Sequence, residues 1–381
     1  MTDRSFEVGP IRPPSEANSL LLQVARGCTW NKCKFCVVYR GEKFHMHQPE
    51  ELKRNIDNMA YFRDMIASYV STQGVLDREG LTAELGKLSQ SELECFYMVY
   101  RWLMNGGKSV FLQDGNTVAL KAEKLADVLF YLREKFPQIE RITTYGRAES
   151  IARHTVEELK LLRESGLNRI HSGFETGSDN ILKMINKGLT QAQQIDAGRK
   201  AKEAGIELSV YFMPGIGGAE YSDENARETA YVINQIEPDF VRFRTFVLKY
   251  ESEMLDLLRS GDFEECTDIQ KLREIRNLIA DVTAPDVTIV SDHIVNLIGS
   301  LGGRIGTDKE KMLAQADRVL NLQPEEQRLY QLARRHGFIE DYPQLASIPQ
   351  PRLLHLRGAA EKYYAADQWE SHLNDILRNY V

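Results

Sequence analysis

Three cysteines within nine residues, Cys28, Cys33 and Cys36, are the densest chemistry in the sequence, and the other two, Cys95 and Cys266, stand alone. Thiolates are soft ligands that select zinc, copper or iron–sulfur clusters. Each iron of a cluster needs a protein sulfur or a substitute, so three thiolates leave one iron of a four-iron cluster open to a further ligand. Two other uses of the same residues stay open at this point. The spacing, four residues and then two, is also that of plant-type ferredoxins, which need a fourth cysteine. A zinc site of three cysteines and one histidine would be completed by His45 or His47.

The elements around the cysteines must hold them. Residues 1–18 carry too many prolines for a helix interior and read as an extended lead-in. The apolar run 19–26, closed by Gly27, reads as a buried strand that delivers the chain into the cysteine loop. Residues from about 48 to 106 read as a helical insertion, with Pro49 opening one helix and Ser89 capping another. Beyond it, strands at 109–112, 141–145, 169–174, 206–213 and 240–246 alternate with amphipathic helices, such as the one that Thr155 opens and Ser165-Gly166 closes. Six βα units over 19–250 predict an α/β fold, a partial (βα)6 TIM-like barrel of parallel strands. The strand rhythm stops near 250, and 251–381 read as a mainly helical C-terminal extension. One apolar run at 287–290 interrupts it, and Asp292-His293 reads as a helix start.

Ligands of parallel α/β folds sit at the carboxyl ends of strands. The second strand ends in Gln113-Asp114-Gly115-Asn116, the fourth in Gly173-Phe174-Glu175-Thr176-Gly177, and the fifth in Met213-Pro214-Gly215-Ile216-Gly217-Gly218. Alternation puts Ile206, Leu208, Val210 and Phe212 on one face of the fifth strand and Glu207, Ser209, Tyr211 and Met213 on the other. The same rule groups Thr143, Tyr145 and Arg147 in the third strand, Arg169, His171 and Glu175 in the fourth, and Arg242 with Arg244 in the sixth. A polar lumen rich in arginine suits a polar, anionic small molecule, because guanidinium pairs bidentately with carboxylate or phosphate. The alternative is that these arginines neutralise Glu175 and Glu207. Tyr145, His171 and Glu175 are the candidate catalytic groups by position.

Arg26-Gly27-Cys28, the Cys33-Lys34-Phe35-Cys36 tail and these strand ends together resemble the radical S-adenosylmethionine (SAM) superfamily. One extra residue separates the first two cysteines compared with the commonest pattern of that family. The resemblance implies a [4Fe–4S] cluster on Cys28, Cys33 and Cys36, whose open iron would chelate the amino and carboxylate groups of SAM. One electron would then break a sulfonium C–S bond, giving methionine and a 5′-deoxyadenosyl radical that abstracts hydrogen from the substrate. It also implies that Phe35 lies against adenine and that the Asp114-Gly115-Asn116 turn takes the SAM ammonium. Glu175 would contact ribose or substrate, Gly217 would admit the adenine edge, and Arg147 or Arg242 would hold the SAM carboxylate. Such an enzyme is oxygen-sensitive and draws its electron from a carrier such as flavodoxin or ferredoxin.

Composition narrows the classes further. The net charge of −7 disfavours a general nucleic-acid surface or an anionic membrane surface. No signal-like start and no apolar run of bilayer length is present, which predicts a cytoplasmic protein without a membrane span. Cys95 and Cys266 are too few for a second cluster, and the short stretch before the first strand leaves no room for a preceding cobalamin-binding domain. A reading of a different class remains: a non-catalytic iron–sulfur or zinc-binding partner protein on a degenerate barrel.

Overall fold

The computed structural model describes residues 3–380. The described chain divides into two compact units, one formed by residues 3–31, 41–171 and 200–207, the other by 32–40, 172–199 and 208–380.

In the first unit, β1 (Leu20–Gln23) leads through β2 (Ala25–Arg26) and, after the cysteine loop, β3 (His45–Met46), which pairs antiparallel with β2. β4 (Ser109–Gln113) pairs parallel with β1, and β5 (Arg141–Tyr145) parallel with β4. β6 (Leu167–Glu175) pairs parallel with β5 through its first half, in the register Tyr145 to His171. β1 and β4 are buried along almost their whole length, as expected of parallel strands covered on both faces. The helical insertion supplies part of the cover. Helix Pro49–Ser68 starts on a proline, which lacks the donor that a first-turn residue would leave unpaired. Helix Gln90–Met104 starts on a reciprocal capping box of Ser89 and Glu92.

Helix Val156–Glu164 opens on the second capping box, Thr155 with Glu158, where the sequence places its start.

In the second unit, which takes β7 (Glu207–Phe212) from Leu208 onward, Ser209 to Phe212 of that strand pair parallel with β8 (Phe240–Phe243). The sheet does not stop there. β9 (Thr288–Val290), expected only as an apolar run among helices, pairs parallel with β8, and β10 (Gly303–Arg304) closes that edge antiparallel to β9. Thus the strand rhythm reaches beyond residue 250, and the later part of the chain carries helices such as Asp268–Asp281 and Ile305–Leu320. Within each unit strands follow one another in the sheet as they do in the chain, the winding of a mostly parallel α/β sheet with helices around it.

Two further readings are corrected. The lead-in is not extended throughout: Pro14–Glu16 forms a 3₁₀ turn that inserts Glu16, fully buried, into the first unit. There its carboxylate accepts from Ser19 Oγ at 2.5 Å and from Arg141 at 3.2 Å, and lies 3.8 Å from His171 Nε2. Burial alone would raise the Glu16 pKa, but the contacts from His171 and Ser19 and the Arg141 charge outweigh it and hold it low. Asp292-His293 starts no helix. It lies in a turn after β9, because Asp292 is drawn to Arg242 at 2.6 Å.

Candidate functional site

In the first unit the cysteine loop leaves β2 through Gly27, whose φ of +78° is a left-handed turn that glycine adopts without a Cβ penalty. Cys28 follows, partly exposed. The next residue is tied down from the end of β4: Asn116 Nδ2 donates to Thr29 Oγ1 at 2.8 Å and to Ser150 Oγ at 2.7 Å. Asn116 Oδ1 accepts from Arg147 N at 2.9 Å. One buried amide therefore clips the cysteine loop to the ends of β4 and β5, so its polar atoms serve the protein. The Arg147 guanidinium, buried, lies 5.7 Å above the ring of Trp30, within cation–π range.

The neighbouring Asp114 is buried, and its Oδ2 accepts from Gln23 Nε2 at 2.9 Å. The lead-in crosses the end of β4 here. Gln113 takes Gly9 N on its Oε1 at 3.0 Å and gives its amide to Gly9 O and Ile11 O. A side chain at Gly9 would come within 2.4 Å of the Asp114 carboxylate, so only glycine permits this close approach. Asp114 and Asn116 thus stand side by side with Gly115 between them, the first under the lead-in and the second on the loop. Tyr145 packs edge-on to Phe111 at 5.1 Å and to His171 at 6.1 Å, and the fully buried His171 completes that ring cluster above Glu16. Arg169 pairs with Glu207 at 2.8 Å, so this arginine has a carboxylate of its own.

In the second unit, Cys33 and Cys36 form one turn, Cys36 N donating to Cys33 O at 3.1 Å. Its anchor is the end of helix Asp179–Met184. Lys34 N donates to Ile185 O at 2.9 Å, and Asn186 Nδ2 donates to Lys32 O at 3.0 Å. Phe35 packs against a buried cluster that includes Ile185, Ile216 and Phe246. Lys187, which the sequence reading missed, lies 5.6 Å from the Phe35 ring centroid and donates to Glu175 Oε1 at 2.8 Å. Glu175 is therefore neutralised by a lysine from a loop, where an arginine from a strand was the alternative. A signal was there: Asn186 and Gly188, at φ of 51° and 71°, bracket Lys187 in a tight turn.

The segment around Glu175 is held on all sides. Gln194 Nε2 donates to Phe174 O and Thr176 O, both at 3.0 Å, and Gly177 N donates to Thr229 Oγ1 at 2.8 Å. Gly217 lies in the turn after β7, where a Cβ would come within 2.7 Å of Ile181 and 3.0 Å of Tyr221. Its neighbour Gly215 donates its N–H to Glu274 Oε2 at 2.8 Å. Arg242 is buried on β8, with Nε donating to Ser209 Oγ at 3.2 Å and the guanidinium on Asp292. Ser209 and Arg242 share the polar face, as alternation predicts, whereas Arg244 is exposed. Burial, with the Arg244 charge, pushes His293 down to about 4, so its imidazole is neutral at physiological pH.

None of the five cysteines is in a disulfide. Cys95 is buried at 3.2 Å from both Phe6 N and Phe6 O, and Cys266 is buried at 3.6 Å from Glu274 Oε1. Burial raises both of their pKa values, which suits inert structural thiols. The donor set that remains, Cys28, Cys33 and Cys36, is soft and one sulfur short of a closed four-iron cluster. That set fits a cluster with one open iron.

A family model described as the Radical SAM superfamily matches residues 22–230, more than half of the chain. An uncharacterized methyltransferase of Pyrococcus horikoshii is 24% identical over 183 residues, which cover 45% of this chain and 37% of that protein. A tRNA-2-methylthio-N(6)-dimethylallyladenosine synthase of Sulfurihydrogenibium is 26% identical, over 55% of this chain and 50% of that protein. The chain thus spans half or less of the length of these relatives. Among solved structures, methylornithine synthase matches with a TM-score of 0.41 and 14% identity, over 81% of this chain and 84% of that one.

Proposed function

Because this chain belongs to the radical SAM superfamily, we propose that it cleaves SAM reductively and uses the product to act on a polar, anionic small molecule. The observation that carries the reading is the loop of three closely spaced cysteines outside any disulfide, Cys28, Cys33 and Cys36, while Cys95 and Cys266 are buried far from it in the sequence. When bound, the [4Fe–4S] cluster and SAM supply the electron transfer and the reactive carbon centre.

The chain's own residues supply position and exclusion of water. Cys28, Cys33 and Cys36 would each hold one iron. Asn116 fixes the first of them through Thr29, and Asn186 with Ile185 fixes the other two through the backbone of Lys32 and Lys34. Phe35 offers an apolar ring to the adenine of SAM, and Gly217 and its neighbours a thin backbone edge. Asp114, Gly115 and Asn116 would receive the SAM ammonium, chiefly through the Asp114 carboxylate, since the Asn116 amide already serves the loop, and Arg147 or Arg242 would receive its carboxylate. Arg242 already meets the partly exposed Asp292, so an incoming carboxylate would exchange with that group. Glu175 and Tyr145, which end β6 and β5, would be the candidate substrate contacts, with His171, buried in the middle of β6, behind Tyr145. The net charge of −7 favours a small substrate over a nucleic acid. A one-electron carrier such as flavodoxin or ferredoxin would supply the reductant.

Anaerobic reconstitution followed by reduction in the presence of SAM tests this. The expected result is four irons per chain, lost in Cys28→Ser, Cys33→Ser and Cys36→Ser but kept in Cys95→Ser and Cys266→Ser, with 5′-deoxyadenosine released. Tight zinc in place of iron, with SAM left intact, would overturn it in favour of a non-catalytic partner protein.

A further inference from the structure

We propose that His45, His47 and Glu51 form a binding site for a divalent transition-metal ion of the zinc type, made without any cysteine. The order of residues builds the site. Extended chain turns alternate side chains to one face, so His45 on β3 and His47 just beyond it project together. That extension is held past the strand by His47 N, which donates to Val24 O at 3.1 Å. Pro49 then starts a helix at once, and Glu51 in its first turn brings a carboxylate back to the imidazoles.

The result is a compact donor set. His47 Nδ1 and Glu51 Oε1 are 2.8 Å apart, the His45 and His47 rings stand at right angles with centroids 5.1 Å apart, and one ligand atom from each of the three residues lies within 4.8 Å of the others. A tetrahedral ion with bonds of about 2.0–2.2 Å separates its donors by roughly 3.4 Å. One pair is therefore already close enough, and His45, exposed at the hairpin, needs a shift of about 1 Å by that same geometry.

His47 is 3% exposed, so the set has one donor held inside the fold and one, His45, at its surface. His47 also forms part of the wall of an open groove of about 730 Å³, with Glu51, Gln23 and Asp114. Two imidazoles and one carboxylate select zinc and its first-row neighbours, and three protein ligands leave a fourth position for water or a ligand in the groove.

The test uses the full chain under anaerobic conditions with its cysteine loop already loaded with iron and sulfide, titrated with Co²⁺ by visible absorption and with Zn²⁺ by calorimetry. One further equivalent of each metal should bind, and the cobalt spectrum should show ligand-field bands without sulfur-to-cobalt charge transfer. His45→Gln, at an exposed position, and Glu51→Gln should each weaken binding tenfold or more while iron content stays unchanged. The proposal fails if no metal binds beyond the cluster, if both variants bind as tightly as the parent chain, or if sulfur-to-cobalt bands place the ion on thiolates. Because the readout is metal binding alone, it stands or falls separately from SAM cleavage.

Discussion

Lys187 donates to Glu175 Oε1 at 2.8 Å, with both side chains about nine-tenths buried. Glu175 also holds a φ of +65°, a left-handed conformation that costs an L residue about 1–2 kcal/mol. Its carbonyl accepts from Met213 N at 2.8 Å, so the ion pair and this backbone bond together hold the strained residue at the end of β6. The same lysine lies beside Phe35 in the cysteine loop. One side chain thus couples the acidic strand end to the loop that carries Cys33 and Cys36.

Removing one partner of a buried pair strands the other charge, at a cost of about 3–5 kcal/mol. Lys187→Met should therefore destabilise the protein by that amount in equilibrium urea denaturation. The double variant Lys187→Met with Glu175→Gln should recover most of the loss, since neither charge then remains. Additive losses in the double variant would show that the two groups are not coupled.

Asn116→Ala removes three hydrogen bonds at once, to Thr29, Ser150 and the Arg147 backbone. Leaving a buried group such as Arg147 N without its acceptor costs about 1–3 kcal/mol. The larger expected effect is on the loop, because Thr29 adjoins Cys28. Iron retained per chain after gel filtration should fall well below that of the parent protein. Full retention in a folded variant would mean that the amide does not hold the cysteine loop.

What the sequence made legible here was local. The thiol spacing, the strand ends and the capping boxes at Ser89 and Thr155 each lie within a few residues of the group they serve, so periodicity and cap chemistry reveal them. The contacts missed join distant segments. Glu16 reads as part of a proline-rich lead-in, and only the fold brings it beside Arg141 and His171. Lys187 lies in a polar turn with no period to read, and β9 has only three residues, too few for alternation to be distinguished from a buried helix. The candidate site was accordingly legible in its residue types but not in its ion pairs: Arg169 has Glu207, Arg242 has Asp292, and Glu175 has a lysine.

Gly177→Ala should be among the most disruptive single-methyl changes. The added carbon would sit 2.3 Å from Glu228 O and 2.7 Å from Thr229 Cα, both helix backbone atoms that cannot rotate aside. Overpacking of this kind costs about 1–3 kcal/mol or more. A fall in melting temperature is expected, whereas Gly205→Ala, with open space around it, should show only the smaller strain of its φ of +73°. Equal shifts for the two would show that the helix moves aside without cost.

Two buried carboxyls of the second unit should lose their stabilising contribution between pH 4.5 and 7, while His293, lowered to about 4, contributes in the opposite sense from about 4 to 6.5. Burial raises Glu274 to about 7, only partly offset by hydrogen bonds from Gly215 N, Asn225 and Cys266. Burial and the Asp268 charge raise Glu370 to about 7 as well. For an acid whose folded pKa is raised, the folded state binds the extra proton, so its stabilising contribution is complete below the unfolded value near 4.5 and is lost as pH climbs through 7. For Glu274 the change is on the order of 3 kcal/mol at 1.36 kcal/mol per pH unit. Asp268, held low by Arg335 despite its burial, titrates below its usual 3.8 and so outside this window. In Glu274→Gln the amide oxygen still accepts from Gly215 N and Asn225 Nδ2, and its NH₂ faces the Cys266 sulfur, so packing is kept while the titration is removed. Urea denaturation from pH 4.5 to 8 should show that the parent protein loses stability relative to the variant as pH rises, the difference between the two growing by about that 3 kcal/mol, because the other titrating groups are common to both. Parallel slopes would mean that Glu274 stays ionised in the folded chain across this range.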